Sequence, residues 1–341
     1  MKRVFPLIPI VALAVSLSVA CAQPEPAEAP AESSDVTQKE DGAVRVFDVP
    51  IDHVALVVRD IEKSSEVYAE ILQLPVPEIN EHPDGMEFAA DYTGNRDATV
   101  KTATFPLNGV TMELVQPVGG PSPWSDHLDQ YGESLHHIGL NDVKDVAGSA
   151  ALAVSMGGKL VVGGGPGATS AAIDMRSVFG FSLSLSELPG TRRTISDDEA
   201  SSKFSDSKAQ FISMIVPDIE KSAGAFAELL GVPMPNISDP QITYPPEFTG
   251  NRDAHPRLAM FPLSGITVAY TSPVDGPSPW SENVEKFGPA MHHLGIQVNG
   301  FKDTIEYFEE RGGSLVIGGA DLGYCWVDVP QLSTVFELYG Q

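Results

Sequence analysis

Apolar and polar residues alternate along IDHVALVV (51–58), which predicts a strand with His53, Ala55 and Val57 on one face and Val54, Leu56 and Val58 on the other. A polar turn follows, and then IEKSSEVYAEIL, whose apolar positions recur at helical spacing. The same layout returns in LHHIGLNDVKDVAGSAALAVSMGG, where glycines mark the end of the helix. It returns again in AQFISMIVPDIEKSAGAFAELL (209–230) and after AMHHLGI (290–296). Short strands separated by Gly, Pro and Asn follow each helix. The pattern predicts four βαβββ modules of an α+β fold, starting near residues 51, 135, 209 and 291.

The modules are grouped by a longer repeat. YTGNRDA at 92 matches FTGNRDA at 248, and FPLNGVTMELVQPVGGPSPWS (105–125) matches FPLSGITVAYTSPVDGPSPWS (261–281). A paired histidine follows in both halves. The chain is a tandem duplication, with one two-module domain over 46–190, a polar linker over 191–208 and a second two-module domain over 209–341. In the repeated loops, Arg96 and Trp124 are expected to serve the fold, with Arg96 alternatively able to hold an anionic substrate. GPSPWS is expected to open a short helix, capped by Ser122 or Ser278 ahead of a proline.

The N-terminus lacks this periodicity. Lys2 and Arg3 precede an apolar run ending in LSVAC, a pattern expected of a secretory signal over 1–20. LSVAC also resembles the bacterial lipobox, which implies lipidation of Cys21. Plain cleavage after Ala20 is the alternative. Residues 21–45 are rich in Pro, Ala and Glu and suit a tether. These readings place the protein outside the cytoplasm, lipid-anchored on the periplasmic face of a bacterial, in particular outer, membrane, or soluble in the periplasm. Cys325 is the one remaining cysteine, so no disulfide within the folded part is expected, and it reads as a small buried residue.

Length and charge narrow the classes further. The chain has 341 residues, 21 basic against 46 acidic, for a net charge of -25. Such a surface repels phosphate backbones and argues against nucleic acid as a partner. A small-molecule substrate and a monomer, with the membrane reached only through a lipid, are expected.

The four-module layout, with IDHVALVVRDIEKS, MELVQP, GPSPWS followed by LHHIG, and TVFEL, resembles the vicinal oxygen chelate superfamily. Glyoxalase I, methylmalonyl-CoA epimerase, extradiol dioxygenases and bleomycin-resistance proteins belong to it. The resemblance spans about 50–341. It implies that paired modules form two cupped, incomplete barrels around a divalent metal, with one ligand from the first strand and one from the last strand of each module. Carried across, these positions are His53 and Glu113 in module one, His137 and Ser184 in module two, Phe211 and Ala269 in module three, and His293 and Glu337 in module four.

Module three has lost both ligands. Pairing module one with module four would complete a two-His, two-Glu set of His53, Glu113, His293 and Glu337. Pairing within the first half would gather His53, Glu113 and His137 instead, and a site without metal is the third possibility. The cross-paired set is the expectation. Glu113 and Glu337 each interrupt an apolar strand, where a carboxylate is costly unless it is paired or bound to a metal. His136 and His292, one residue from the candidate ligands, are expected to face the other way and to be structural. The donor set suits one ion of Zn, Ni, Co, Mn or Fe(II). The resemblance implies a lyase or isomerase of glyoxalase or epimerase type, acting on a substrate held through two neighbouring oxygens, with Glu337 as the base. A small-molecule binding protein is the alternative. An extradiol-type dioxygenase is a further one, favoured if His53, His137 and one glutamate hold iron.

Overall fold

The alternating segments become the central strands β1 (Ile51–Val57), β5 (Ser134–Leu140), β9 (Lys208–Ile215) and β12 (Ala290–Val298) of a computed structural model. It describes residues 50–82, 86–190, 195, 204 and 206–340. The expected signal, the lipidation site Cys21, the tether and most of the 191–208 linker lie outside the described residues. Each central strand leads into a helix: α1 (Ile61–Leu72), α3 (Val146–Ser155), α5 (Ile219–Leu230) and α7 (Phe301–Glu309). Asp60, Asp145 and Asp218 cap the first three by accepting from the backbone N–H three residues on. Each such cap is worth about 1 kcal/mol. Among the described residues no helix is long and apolar enough to cross a membrane.

The remaining strands complete two sheets. The first adds β2 (Asn80–Glu81), β3 (Thr99–Pro106), β4 (Thr111–Val118), β6 (Lys159–Gly163), β7 (Ser170–Asp174) and β8 (Ser182–Ser186), in the order β2-β3-β4-β1-β5-β8-β7-β6. The second adds β10 (His255–Pro262), β11 (Thr267–Val274), β13 (Ser314–Gly319), β14 (Tyr324–Val329) and β15 (Thr334–Gly340), in the order β10-β11-β9-β12-β15-β14-β13. Module three keeps only an isolated bridge, Ser238 to Leu258, near the place of β2. Both sheets curl into cups. Phe88 bridges to Val162 in the first, and the Gly318 N–H donates to the Thr243 carbonyl in the second.

This topology corrects the expected pairing. Module one joins module two through the antiparallel β1–β5 ladder, and module three joins module four through β9–β12. His53 and Glu113 therefore lie in one sheet, and His293 and Glu337 in the other. The reason is proximity along the chain. Only the short helix α2 (Pro123–Tyr131) separates β4 from β5, and elements close in sequence usually become neighbours in space.

The alternation in β1 divides the core as its sequence indicates. Val54, Leu56 and Val58 join a large apolar layer under the helices, which continues into the second half through Phe226, Phe308 and Phe336. Ala55 and Val57 turn into the first cup with Phe88, Val115, Trp124 and Val161. The second cup is lined by Ile215, Tyr244, Trp280, Ile317 and Trp326.

Candidate functional site

In the first cup, Ala55 on β1 lies between Glu113 on β4 and His137 on β5. Its small side chain leaves space between those two groups. His53 enters the same space from two residues earlier on the same face. Glu113 Oε2 lies 3.7 Å from His53 Nε2 and 3.7 Å from His137 Nε2, and one donor atom from each residue falls within 4.8 Å of the other two. These separations are too long for hydrogen bonds. They are slightly wider than the roughly 3.4 Å between donors arranged tetrahedrally about an ion at zinc-like distances.

The surroundings orient both imidazoles. His53 Nδ1 bonds Asp52 Oδ2 at 3.2 Å, which leaves Nε2 facing the cup. Burial opposes a charge on His53, but the Glu113 and Asp52 carboxylates outweigh it and raise its pKa above the ordinary value. Burial holds His137 well below the ordinary value, helped by repulsion from His53 and His127, so it is a neutral imidazole. Two imidazoles and a carboxylate around one point fit a divalent ion. The fourth position, Ser184, pairs with Gly139 as Glu337 pairs with Gly295, so the register confirms the equivalence and supplies a hydroxyl in place of a carboxylate.

The second cup differs in kind. Phe211 and Ala269 stand where His53 and Glu113 stand in the first. The two remaining polar groups bond one another, His293 Nε2 to Glu337 Oε2 at 3.0 Å. Tyr339 donates to the other oxygen of Glu337. The rings of Phe211 and Trp326 lie 5.8 Å and 4.3 Å from that of His293. His293 Nε2 and both oxygens of Glu337 are thus already engaged by neighbours.

Residues 52–179 match the model of the Glyoxalase/Bleomycin resistance protein/Dioxygenase superfamily. The first half is a vicinal oxygen chelate domain. The second half repeats its fold strand for strand except at β2. No curated protein sequence matches the chain. Among solved structures, a triple mutant of 4-hydroxymandelate synthase from Streptomyces coelicolor superposes with a TM-score of 0.57 at 13% identity, covering 85% of this chain and 92% of that one. The 2,3-dioxygenase LapB from Pseudomonas sp. KL28 reaches 0.45 at 11% identity, over 88% and 94% of the two chains. Methylmalonyl-CoA epimerase from Mycobacterium tuberculosis reaches 0.30 at 18% identity, over 39% and 87%. At such identities the likeness to the synthase is one of fold, and the lower overlaps add nothing to it.

The paired histidines, one pair in the vicinal oxygen chelate domain and one in its repeat, depart from the simple alternation. The β1–β5 register slips between His137 and Leu135, and the β9–β12 register slips between His293 and Met291. His136 and His292 are the extra residues of two bulges, which re-aim side chains next to a site. Instead of facing away from their neighbours they turn toward them. His136 Nδ1 lies 3.0 Å from His137 Nδ1, and His292 Nδ1 lies 2.9 Å from His293 Nδ1. Each is a hydrogen-bond partner of a site histidine.

Two glycines also belong to the site, and periodicity did not reveal them. A Cβ on Gly139 would lie 1.9 Å from His53 Cε1, and one on Gly295 would lie 2.1 Å from Phe211 Cε1. The glycine two residues after each histidine pair clears room for the ring on the opposite strand. The repeated loops behave as expected. Arg96 binds the carbonyls of Phe88, Ala89, Ala90 and Tyr92, and Arg252 does the same for Tyr244, Pro245, Pro246 and Phe248. Trp124 and Trp280 are buried in the cups. Ser122 and Ser278 form capping boxes at the starts of α2 and α6 (Pro279–Phe287).

Proposed function

We propose that the first cup is the active site of a divalent-metal oxygenase, of extradiol type, acting on a small molecule held through two neighbouring oxygens. The observation that supports this most is the convergence of His53 Nε2, His137 Nε2 and Glu113 Oε2 within 4.8 Å. Two histidines and one carboxylate on one side of an ion, with other positions open, is the donor pattern of non-haem Fe(II) oxygenases. When bound, such an ion supplies Lewis acidity and a redox-active centre at which dioxygen and a chelating substrate meet.

The chain's own residues have definable tasks. Asp52 holds the Nδ1–H of His53, and His136 accepts the Nδ1–H of His137, so both Nε2 atoms are directed into the cup. Ser184 offers a hydroxyl at the fourth position, suited to orienting a substrate oxygen. Phe88, Trp124 and Val161 form an apolar wall that excludes water from the reacting atoms.

The glyoxalase or epimerase reading needs a carboxylate base beside the substrate. Glu337, the expected base, sits in the other cup, engaged by His293 and Tyr339. The oxygenase reading asks nothing of it. We also propose export and lipid anchoring at Cys21, a reading that rests on the sequence LSVAC. The mass of the mature N-terminal peptide tests that part.

Metal analysis of the purified chain, followed by oxygen uptake with catechols, tests the main reading. One metal per chain is expected, lost in Glu113→Gln and His137→Ala and retained in His293→Ala and Glu337→Gln. Loss with His293→Ala, or no metal in any form, overturns it. The latter result would favour a binding protein.

A further inference from the structure

The first histidines of the two pairs lead to one place. His136 and His292 both line a cleft of about 530 Å³ between the halves, which borders the second cup at Trp326. The Tyr131 and Phe287 rings approach to 6.1 Å across it, and Ser333 Oγ donates to Glu133 Oε2 at 3.1 Å between the halves.

The residues lining the cleft carry buried polar atoms that no group among the described residues satisfies. They are His127 Nδ1, His136 Nε2 and Arg176 Nη1 from the first half, and Asn283 Oδ1 and Thr334 Oγ1 from the second. His127, His136 and Thr334 are 4%, 5% and 7% exposed, so these are interior groups. A buried donor or acceptor left unmade costs about 1–3 kcal/mol. Five of them on residues that line one cleft, drawn from two halves, point to a site that something else completes.

The orphan set has a direction. Arg176 spends Nε and Nη2 on Asp174, at 3.0 Å and 2.7 Å, which fixes the guanidinium and leaves Nη1 for a further oxygen. Lys286 supplies a second cation. Burial, reinforced by the Arg176 charge, pushes His127 down to about 3. His127 is therefore a neutral imidazole, with one donor and one acceptor nitrogen. Glu282 and Asp328 also line the cleft, and burial raises the pKa of Asp328. A simple anion would meet these carboxylates. A molecule with a carboxylate and a neighbouring donor group would satisfy both sets.

We propose that this cleft is a second ligand site, taking a small organic acid that carries a hydroxyl or ammonium group beside its carboxylate. The carboxylate sits on Arg176 Nη1, with His136 and Thr334 as further donors. The hydroxyl or ammonium group donates to Asn283 Oδ1 and the carboxylates of the second half. The site touches the metal cup through His136 but does not depend on a metal being bound there.

The test uses the full chain stripped of metal, with its histidine ring nitrogens followed by NMR during titration with malate, lactate, aspartate and glycine. Glycerol and methylamine serve as controls. At least one acid is expected to shift the His127, His136 and His292 signals along a common saturating curve. Its affinity is expected to fall about tenfold in Arg176→Gln and in Thr334→Val, the loss of one buried hydrogen bond each. Glu337→Gln, in the other cup, is expected to leave it unchanged. Thr334→Val preserves shape, so it remains informative if Arg176→Gln folds poorly. The proposal is overturned if no acid moves these signals at 10-millimolar order, about the weakest affinity worth the name of a site. It is equally overturned if both variants bind as the parent does, or if glycerol produces the same shifts, which would make the cleft a solvent cavity.

Discussion

Gly139 shows how little space a functional ring leaves. A methyl group there would overlap His53, whose ring cannot move without losing Asp52 or Glu113. Gly139→Ala is expected to abolish metal binding while the circular dichroism spectrum stays that of the parent. Gly295→Ala meets Phe211 in the same way but has no metal to lose, so it serves as the matched control for stability. Metal content and thermal melting of the pair separate the two effects. Cys325 is the converse case, a reactive group made inert. It is fully buried, and burial together with the Glu337 and Glu309 charges pushes its thiol up to about 12. At pH 8 it remains a protonated thiol out of reach of reagent, and the thiolate is the reactive form. Iodoacetamide is expected to leave Cys325 unmodified in the native protein and to label it fully in denaturant, read by peptide mass.

At the scale of elements, the capped starts of the short helices are the repeated device. Ser122 and Ser278 each accept from the N–H three residues on, and Ser125 and Ser281 return the bond, so α2 and α6 begin at fixed points before β5 and β12. Ser122→Ala and Ser278→Ala are each expected to cost about 1 kcal/mol, the ordinary worth of such a cap, measured as a shift in the urea midpoint. Equal losses would show that the two copies do the same work. These caps were legible because serine before proline is a local signal. The bulges at His136 and His292 were not. A bulge depends on what the partner strand does, and a period-two reading of HHIG assigns its histidines to opposite faces. Hence His136 is expected from sequence to face away from His137 as a structural residue, although its ring nitrogen meets that of His137.

For the whole molecule, the decisive fact is that the halves close separately and then share one core. Tyr68 donates to the Leu332 carbonyl, and Tyr307 donates to the Ile71 carbonyl at 2.8 Å, so each half reaches into the other. Tyr307→Phe leaves a buried carbonyl without its donor and is expected to cost about 1–3 kcal/mol. Because the apolar layer runs through both halves, that loss is expected in a single calorimetric transition of the whole folded part, not in one of two. Separate transitions, with only one shifted, would show that the halves are independent.

The sequence by itself determined the modules, the duplication, the faces of β1, the helix caps and the positions equivalent to a ligand. All of these are set by local periodicity, by neighbours a few residues away, or by comparison of one stretch with another. Which modules pair was decided only by the tertiary structure, because the same central strands present edges that either partner could satisfy, and the short α2 connection selects the nearer. That choice divided the expected set, keeping His53 and Glu113 with His137 and leaving His293 and Glu337 to bond each other. It also created the cleft between the halves, whose walls come from segments about 150 residues apart in the chain. No local pattern marks such a place, since its polar atoms become a group only when two finished sheets are packed together.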